Sequence, residues 1–570
     1  MTPETFCEQF ATFAEAPNGV AKLRELILQL AVQGKLGTQD VNDEPADELL
    51  RRIALAKAEM VRCKTIAARD SQPIGDEEIP FVVPDSWRWC RLCDIAHDLG
   101  QRTPEERFTY IDVGAINKER GVVSDNVQVL EANEAPSRAR KIVAFNSVIY
   151  STVRPYLLNV AVIETEFTPT PIVSTAFAVL HPHDGMDSRF IYHYLRSKPF
   201  VTYVESEMTG IAYPAINDGK MYRGLIPVPP LAEQRRIVGK VDQLLGLCDE
   251  LAARQAARRE ARSALVGATL DRLVSARSAA EFPAHAHRLR DHFDRLFDTP
   301  TTLPQLRQAI LQLAVQGQLV PQDPNDEPAA ELLERARMER VDTSDDGEAL
   351  DEAMDSTNES DDLQLEQPAS WKLVRFADII SYGPRNGISP KPVQHVTKTK
   401  SLTLSATTSG TFDGRHVKYL TEEFPADSFL WLKDGDILIQ RSNSEHYVGV
   451  AAIYRGEPND FVYPDLMMKV RVASCIDVAF AHLILMSPPS RAYFRTRATG
   501  TSGSMRKINK TTVKTLPFPL PPLSEQKRIV SKVTELLSLC DALEAKLTQA
   551  ESASTQLLSA AVHHLLLTSP

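Results

Sequence analysis

A chain of 570 residues that is 43% hydrophobic and 24% charged has the composition of an ordinary soluble protein of about three to five domains. No apolar run approaches the roughly 18 residues of a membrane span, and MTPETFCEQF lacks the basic-then-apolar pattern of a signal peptide, which points to the cytoplasm. The net charge of −11 does not exclude a nucleic-acid partner, because residues 341–366 hold eleven acidic residues and no basic one, leaving the remainder neutral. The seven cysteines are scattered and odd in number, as in a reducing compartment. Cys90-Arg91-Leu92-Cys93 is a single CxxC whose simplest reading is a strand edge after Trp87 and Trp89.

Residues 1–79 read as an N-terminal helical arm. It carries Ile27-Leu28-Gln29-Leu30-Ala31-Val32-Gln33-Gly34-Lys35-Leu36 and Asn42-Asp43-Glu44-Pro45-Ala46. Both blocks return 283 positions later, as Ile310-Leu311-Gln312-Leu313-Ala314-Val315-Gln316-Gly317-Gln318-Leu319 and Asn325-Asp326-Glu327-Pro328-Ala329. A variable segment follows at 80–226, opened by Pro84-Asp85-Ser86-Trp87 and closed by Ile216-Asn217. Within it, the run from Val148 to Glu164 alternates Val, Ile and Tyr between turn residues, which predicts short half-buried strands, and Phe190 begins a helical stretch. A segment of about 150 residues suffices for an independent α/β domain.

Residues 227–340 form a central region with a long helix after Pro230. Its apolar residues Ile237, Val241, Leu244, Cys248 and Leu251 form a heptad seam, and Glu233 stands in the first turn. His285, His287 and His292 follow in the connector; with no Cys or carboxylate at matching spacing, they read as helix-surface histidines rather than a metal site. Phe293, Leu296 and Pro300 there repeat Phe10, Phe13 and Pro17. The acidic segment 341–366 reads as a disordered linker. A second variable segment, 367–518, opens on Pro368-Ala369-Ser370-Trp371, has its β-rich run from Ile437 to Tyr454 and a helical stretch from Phe480, and closes on Ile508-Asn509.

Residues 519–570 form a second long helix. Pro521-Pro522-Leu523-Ser524-Glu525-Gln526-Lys527-Arg528-Ile529-Val530 repeats Pro229-Pro230-Leu231-Ala232-Glu233-Gln234-Arg235-Arg236-Ile237-Val238 at an offset of 292. Its seam runs Ile529, Val533, Leu536, Cys540, Leu543, Leu547, Ala550. A lone helix of about 40 residues, roughly 60 Å long, could not bury such a seam, so the two long helices are expected to pair, antiparallel. A repeat of about 285 residues is too long for a solenoid unit and describes two copies of a whole module.

Several chemistries are missing. There is no GxxxxGK[ST] phosphate loop, no Asn/Asp-Pro-Pro-Tyr/Phe tetrad of an adenine methyltransferase, and no nuclease carboxylate cluster after Pro464-Asp465.

The duplicated Pro-Pro-Leu-x-Glu-Gln-(Arg/Lys)-Arg-Ile-Val before a heptad helix, with Ala-Val-Gln-Gly-x-Leu opening each arm, resembles the specificity subunit of type I restriction-modification systems. Pro-x-Ser-Trp at each variable-domain start and Tyr150-Ser151-Thr152-Val153-Arg154-Pro155-Tyr156 are typical of its target recognition domains. The likeness covers essentially the whole chain, with the acidic insert as a departure at a junction where insertion is tolerated. It implies two mixed α/β recognition domains joined by antiparallel coiled-coil helices, each reading one half of an asymmetric bipartite site in double-stranded DNA. The helices would act as a ruler setting the domains about one helical turn apart. Two methyltransferase subunits and the restriction subunits are the implied partners. No cofactor is implied in this chain: S-adenosylmethionine, ATP and Mg belong to those partners, and the flipped adenine enters a partner's pocket.

Arg pairs bidentately with guanine, and Asn or Gln with adenine, in the major groove. On that chemistry the DNA-facing candidates are Ser151, Thr152, Arg154, Tyr156 and Asn159 in the first domain, and Gln440, Arg441, Ser442 and Asn443 in the second. Arg506, Lys507 and Lys510 form a basic run suited to phosphate. Gln101 and Arg102, with Arg385 and Asn386, form a second loop pair at the end of each domain's first strand. Turn-forming or phosphate-positioning roles compete with base reading at all of these. Two other readings stand beside this one. A duplicated coiled-coil scaffold would explain the heptads but not two divergent domains at equivalent positions. A self-contained methyltransferase or nuclease lacks its motifs.

Overall fold

The computed structural model describes residues 14–568 apart from positions 38, 126, 211–212, 277–280, 340–366 and 501–504, so the acidic segment expected to be a disordered linker lies outside the described residues. The chain divides into two compact units, residues 1–258 with 550–570, and residues 259–549.

In the first unit the arm helix Gly19–Val32 buries Leu23, Leu26, Ile27 and Leu30, the spacing of one helical face. It stops at Gly34, whose φ of +73° is left-handed, and Lys35 N–H donates to the Leu30 carbonyl at 2.9 Å. A Cβ on Gly34 would stand 2.5 Å from the Pro84 ring, so glycine is required twice over. The second unit repeats this at Gly317, with φ +70° and a Cβ position 2.5 Å from Pro368. The repeated Gly and the repeated Pro-x-Ser-Trp thus meet face to face.

The first variable domain is closed at its base by Arg88–Arg91 pairing antiparallel with Leu225–Val228, its first strand against its last. Cys90 lies in that strand, and burial pushes its thiol well above the usual range. Above it, a six-stranded sheet runs Ala96–His97, Phe177–Pro182, Val148–Ser151, Val160–Val162, Val122–Val123, Ile116–Asn117. A four-stranded sheet runs Gln128–Leu130, Phe108–Ile111, Pro171–Ser174, Ala139–Ile142. Most pairs are antiparallel, but Phe108–Ile111 and Pro171–Ser174 run parallel, making the domain mixed α/β. Helix Ser188–Leu195 packs on strands Val148–Ser151 and Val160–Val162 of the six-stranded sheet, started by the Asp187 carboxylate accepting from the Arg189 and Phe190 amides.

The second unit uses the same plan with different sheets. Lys372–Arg375 pairs with Pro517–Leu520 at the base. A four-stranded sheet runs Ile380–Asn386, Met467–Val472, Ile437–Gln440, Ala451–Ile453, and a three-stranded one Val417–Leu420, Thr399–Leu402, Phe461–Val462. Helix Val478–Met486 is capped by Asp477.

The long helices are Leu231–Val274 and Leu523–Thr568, of 44 and 46 residues. Each unit contains the start of one and the end of the other, the antiparallel arrangement. The seam is covered differently from a plain two-helix zipper. Ile237, Val241, Leu244 and Cys248 share a core with the arm's Leu23, Leu26, Ile27 and Leu30, and Val562 packs against that core. Ile529, Val533 and Cys540 share theirs with Leu306, Ile310, Val266 and Leu270. The arms are apolar enough to serve as a third packing surface. The ion pair Arg24–Asp249 ties arm to long helix in the first unit. Arg307 does the same with Asp541 at 2.6 Å in the second.

The verbatim repeats converge on one joint per unit. Gln234 accepts from the Asp187 amide and donates to the Pro229 carbonyl, both at 2.9 Å. Gln526 does the same with Asp477 and Pro521, at 2.9 Å each. Arg236 binds Asp43 at 2.5 Å and Arg528 binds Asp326 at 2.6 Å, so the Asn-Asp-Glu-Pro block and the Glu-Gln-Arg-Arg block were repeated as partners. Glu525, the counterpart of the first-turn Glu233, accepts from the Trp371 indole at 2.9 Å. Burial raises its carboxyl above the usual range.

Candidate nucleic-acid interface

In the first domain, strand Val148–Ser151 ends in a turn that is zipped to the chain before the closing strand. Ile216 N–H donates to the Thr152 carbonyl at 3.0 Å, Val153 bridges Ala215, and Arg154 N–H donates to the Pro214 carbonyl at 2.8 Å. Pro155–Leu157 forms one short 3-10 turn, flanked by Arg154 at φ 48° and Leu158 at φ 54°. Left-handed backbone at two non-glycine residues is unfavourable by roughly 1–2 kcal/mol each and collects at functional loops. The turn presents Arg154, Tyr156 and Leu157 to solvent, the last two 43% and 45% exposed. The Arg154 guanidinium lies over the Tyr213 ring at 5.1 Å, and Tyr213 is itself 70% exposed.

The loop of Gln101 and Arg102 adjoins this surface. Gln101 bridges Lys141, and Arg102 N–H donates to the Arg140 carbonyl at 2.8 Å. Thr175 N–H reaches the Arg138 carbonyl at 2.8 Å, while the neighbouring Ala176 carbonyl accepts from Thr152 N–H at 2.7 Å. Arg102, Arg138 and Arg140 therefore border the Arg154 turn through a continuous run of backbone bonds. Lys141 is withdrawn from it: it is buried, and its ammonium donates to the Phe177 carbonyl at 2.6 Å and pairs with Asp218.

In the second domain the candidate segments gather at one sheet end. Ser442–Asn443 pairs antiparallel with Arg506–Lys507, and Ile508 N–H donates to the Arg441 carbonyl at 2.9 Å. Strand Met467–Val472 joins the rest, with Asn386 opposite Met468 and Gln440 opposite Met467. The Arg385 guanidinium lies 3.8 Å from the centre of the Phe429 ring. Behind it, Lys469 is buried beside Asp436 and Arg471, and burial lowers its ammonium to about 8. Lys507 is exposed; Arg441, Asn443, Arg506 and Lys510 are half-buried, Lys510 opening the helix Lys510–Lys514.

Four of the proposed DNA-facing side chains point into the fold instead. Gln440 is 0% exposed, its amide donating to the Leu404 carbonyl and the Thr407 and Thr408 hydroxyls. Ser151 donates to the Val153 carbonyl at 2.9 Å and Thr152 to the Ala176 carbonyl at 2.8 Å, both buried. Ser442 is also buried. Short polar residues at a strand end satisfy the backbone of the turn they start, and that need prevails here. Asn443 is engaged as well, donating to Gln440 Oε1 at 2.7 Å and accepting from Ser444 N–H. Asn159 is half-buried, its carbonyl accepting from Ser151 N–H. The exposed chemistry rests on Gln101, Arg102, Arg154, Tyr156 and Lys507, with Tyr213 and Arg138 added and Arg140 half-buried beside them. The Arg138-Ala139-Arg140-Lys141 run was visible as local basic charge; nothing in the sequence flagged Tyr213.

Among the described residues no group of three His, Cys, Asp or Glu side chains could hold a metal ion, and no helix is long and apolar enough to cross a membrane.

Two divergent domains mounted on duplicated helical joints, each offering a loop surface rich in arginine, define a two-headed recognition protein. Residues 91–258 and 368–551 match the family described as the type I restriction modification DNA specificity domain, and the chain belongs to that family. It is 30% identical over 558 residues to the EcoAI specificity subunit of Escherichia coli, covering 95% of this chain and 93% of that one. It is 29% identical over 557 residues to the EcoEI specificity subunit of the same organism, at the same coverages. A solved chain from work on complex assembly and conformational transition of the type I R-M system shares the fold, with a TM-score of 0.52 at 21% identity over 85% of this chain and 99% of that chain. The chain is a DNA sequence-specificity subunit, a recognition protein rather than a catalyst; the scaffold alternative has no support.

Proposed function

We propose that this chain reads double-stranded DNA for a type I restriction-modification complex, each variable domain recognising one half of an asymmetric bipartite site. Two methyltransferase subunits would dock on the helical parts and methylate adenine, and restriction subunits would join to cleave. S-adenosylmethionine, ATP and Mg would be bound by those partners, so the isolated chain is expected to transfer no methyl group. The carrying observation is the division of labour in the repeat. The identically repeated residues Gly34, Asp43, Gln234 and Arg236, with Gly317, Asp326, Gln526 and Arg528, are spent on the two joints. The loops that differ face solvent with arginine, tyrosine and lysine. Phosphate contact and base reading need that chemistry on the surface. The test is to express the chain with its methyltransferase partner and map methylated adenines across the genome. A bipartite motif is the expected result; methylation without a fixed sequence, or methyl transfer by the rigorously purified chain alone, would refute the role.

A further inference from the structure

The first domain carries an exposed pairing that the family assignment does not explain. Tyr213, 70% exposed, lies beneath the Arg154 guanidinium at 5.1 Å. Large aromatic rings are seldom left in water without a use, and a planar guanidinium stacked on a ring loses rotamer freedom before any partner arrives. The backbone fixes the two residues together: Arg154 N–H donates to the Pro214 carbonyl, Val153 bridges Ala215, and Arg154 is held at φ 48°. A non-glycine residue is kept in that conformation only when its surroundings over-determine it.

The second domain supplies an internal comparison. Ile216 donates to the Thr152 carbonyl as Ile508 donates to the Arg441 carbonyl, which places Asn443 where Arg154 stands and Met505 where Tyr213 stands. Met505 is 55% exposed. The same backbone clip thus presents an Arg–Tyr pair in one domain and an Asn–Met pair in the other. Arg154, Tyr213 and Met505 are exposed and Asn443 is half-buried, so a constant scaffold carries changed side chains, as sequence discrimination requires.

We propose that Arg154 reads a guanine from the major groove of the half-site belonging to the first domain, and that Tyr213 is its positioning residue. Tyr213 holds the guanidinium fork in the orientation that matches guanine O6 and N7, while Arg102, Arg138 and Arg140 supply the flanking positive charge for phosphate. This rests on the DNA-reading role proposed above.

The test uses the full chain with its methyltransferase partner, comparing Arg154→Ala, Tyr213→Ala and Tyr213→Phe by the methylated motif and by binding to duplexes altered one base pair at a time. Arg154→Ala and Tyr213→Ala are expected to relax the same single position of one half-site, each by about tenfold or more, leaving the other half-site intact. Tyr213→Phe keeps the ring and should keep the motif. Because Tyr213 is mostly exposed, its truncation leaves no cavity, and an unchanged melting curve separates positioning from misfolding. The proposal is overturned if Tyr213→Ala leaves the motif intact, relaxes a different position from Arg154→Ala, or weakens all sequences uniformly. A wild-type complex with no fixed motif would instead sink the DNA-reading role, and the pair with it.

Discussion

Gln526 gives the sharpest test of how the joint works. Its side chain is 0% exposed, accepts from the Asp477 amide and donates to the Pro521 carbonyl, both at 2.9 Å. It thereby connects three things: the strand that closes the second variable domain, the helix beginning at Val478 and the long helix beginning at Leu523. Gln526→Ala orphans one buried donor and one buried acceptor, at about 1–3 kcal/mol each, and opens a void besides. A total near 3 kcal/mol follows, roughly a 150-fold shift in the opening equilibrium. Hydrogen exchange followed by mass spectrometry reads this locally. Peptides covering 476–486 should lose about two decades of protection, while peptides from the first unit, whose own joint uses Gln234, keep theirs. Unchanged protection at 476–486, or an equal loss in both units, would refute the assignment of this glutamine as the local tie.

Three further outcomes are expected. His97, His181 and His183 pack together in the first unit, ring centroids 5.3 and 4.6 Å from His97, and burial lowers all three, His97 to about 4. The unfolded chain therefore binds more protons as pH drops below about 6.5, so the first unit loses stability from there down toward 4, despite the nearby carboxylates of Asp98 and Asp184. Thermal melts at pH 7.5 and 5 should show it, and a first unit whose melting does not move would contradict it; Arg471 stands at the position of His181 in the second unit. Deleting residues 342–365 should leave the methylated motif unchanged, since ten acidic charges offer nothing to a phosphate backbone, and an altered motif would count against this. Lengthening the helix after Leu231 by one turn, about 5.4 Å, should move the spacer by one or two base pairs of about 3.4 Å; retention of the original spacer after a verified insertion would remove the ruler role.

The helical parts were legible because their residues obey a local rule. Ile237, Val241, Leu244 and Cys248 sit at heptad spacing, and each is buried. What covers them was not legible, because the partner of a seam is set by tertiary packing, and the arm residues Leu23 to Leu30 took a share. A glutamate in the first turn reads locally as helix punctuation, but the partners of Glu525 and Gln526, Trp371 and Asp477, lie 154 and 49 positions away, beyond any window of periodicity. At the candidate interface, residue type suggested Gln440 and Thr152 as base readers. The strands that lead to them are buried on both faces, so residue alternation carried no sign of which side chains reach solvent. Tyr213 became visible only once Val153 and Ala215 were paired.

The division of the chain has a consequence for its synthesis. Residues 259–549 are contiguous, so the second unit is complete in sequence before the last residues are made. The first unit is not: residues 550–570 belong to it, and Val562 packs on its core. A ribosome translating this chain therefore finishes the later half before the earlier one can close. Until the final turns of the last helix emerge, the core of the first unit lacks Val562. A nonsense mutation near Gln549 would spare the second unit in sequence and leave the first without Val562 on its core.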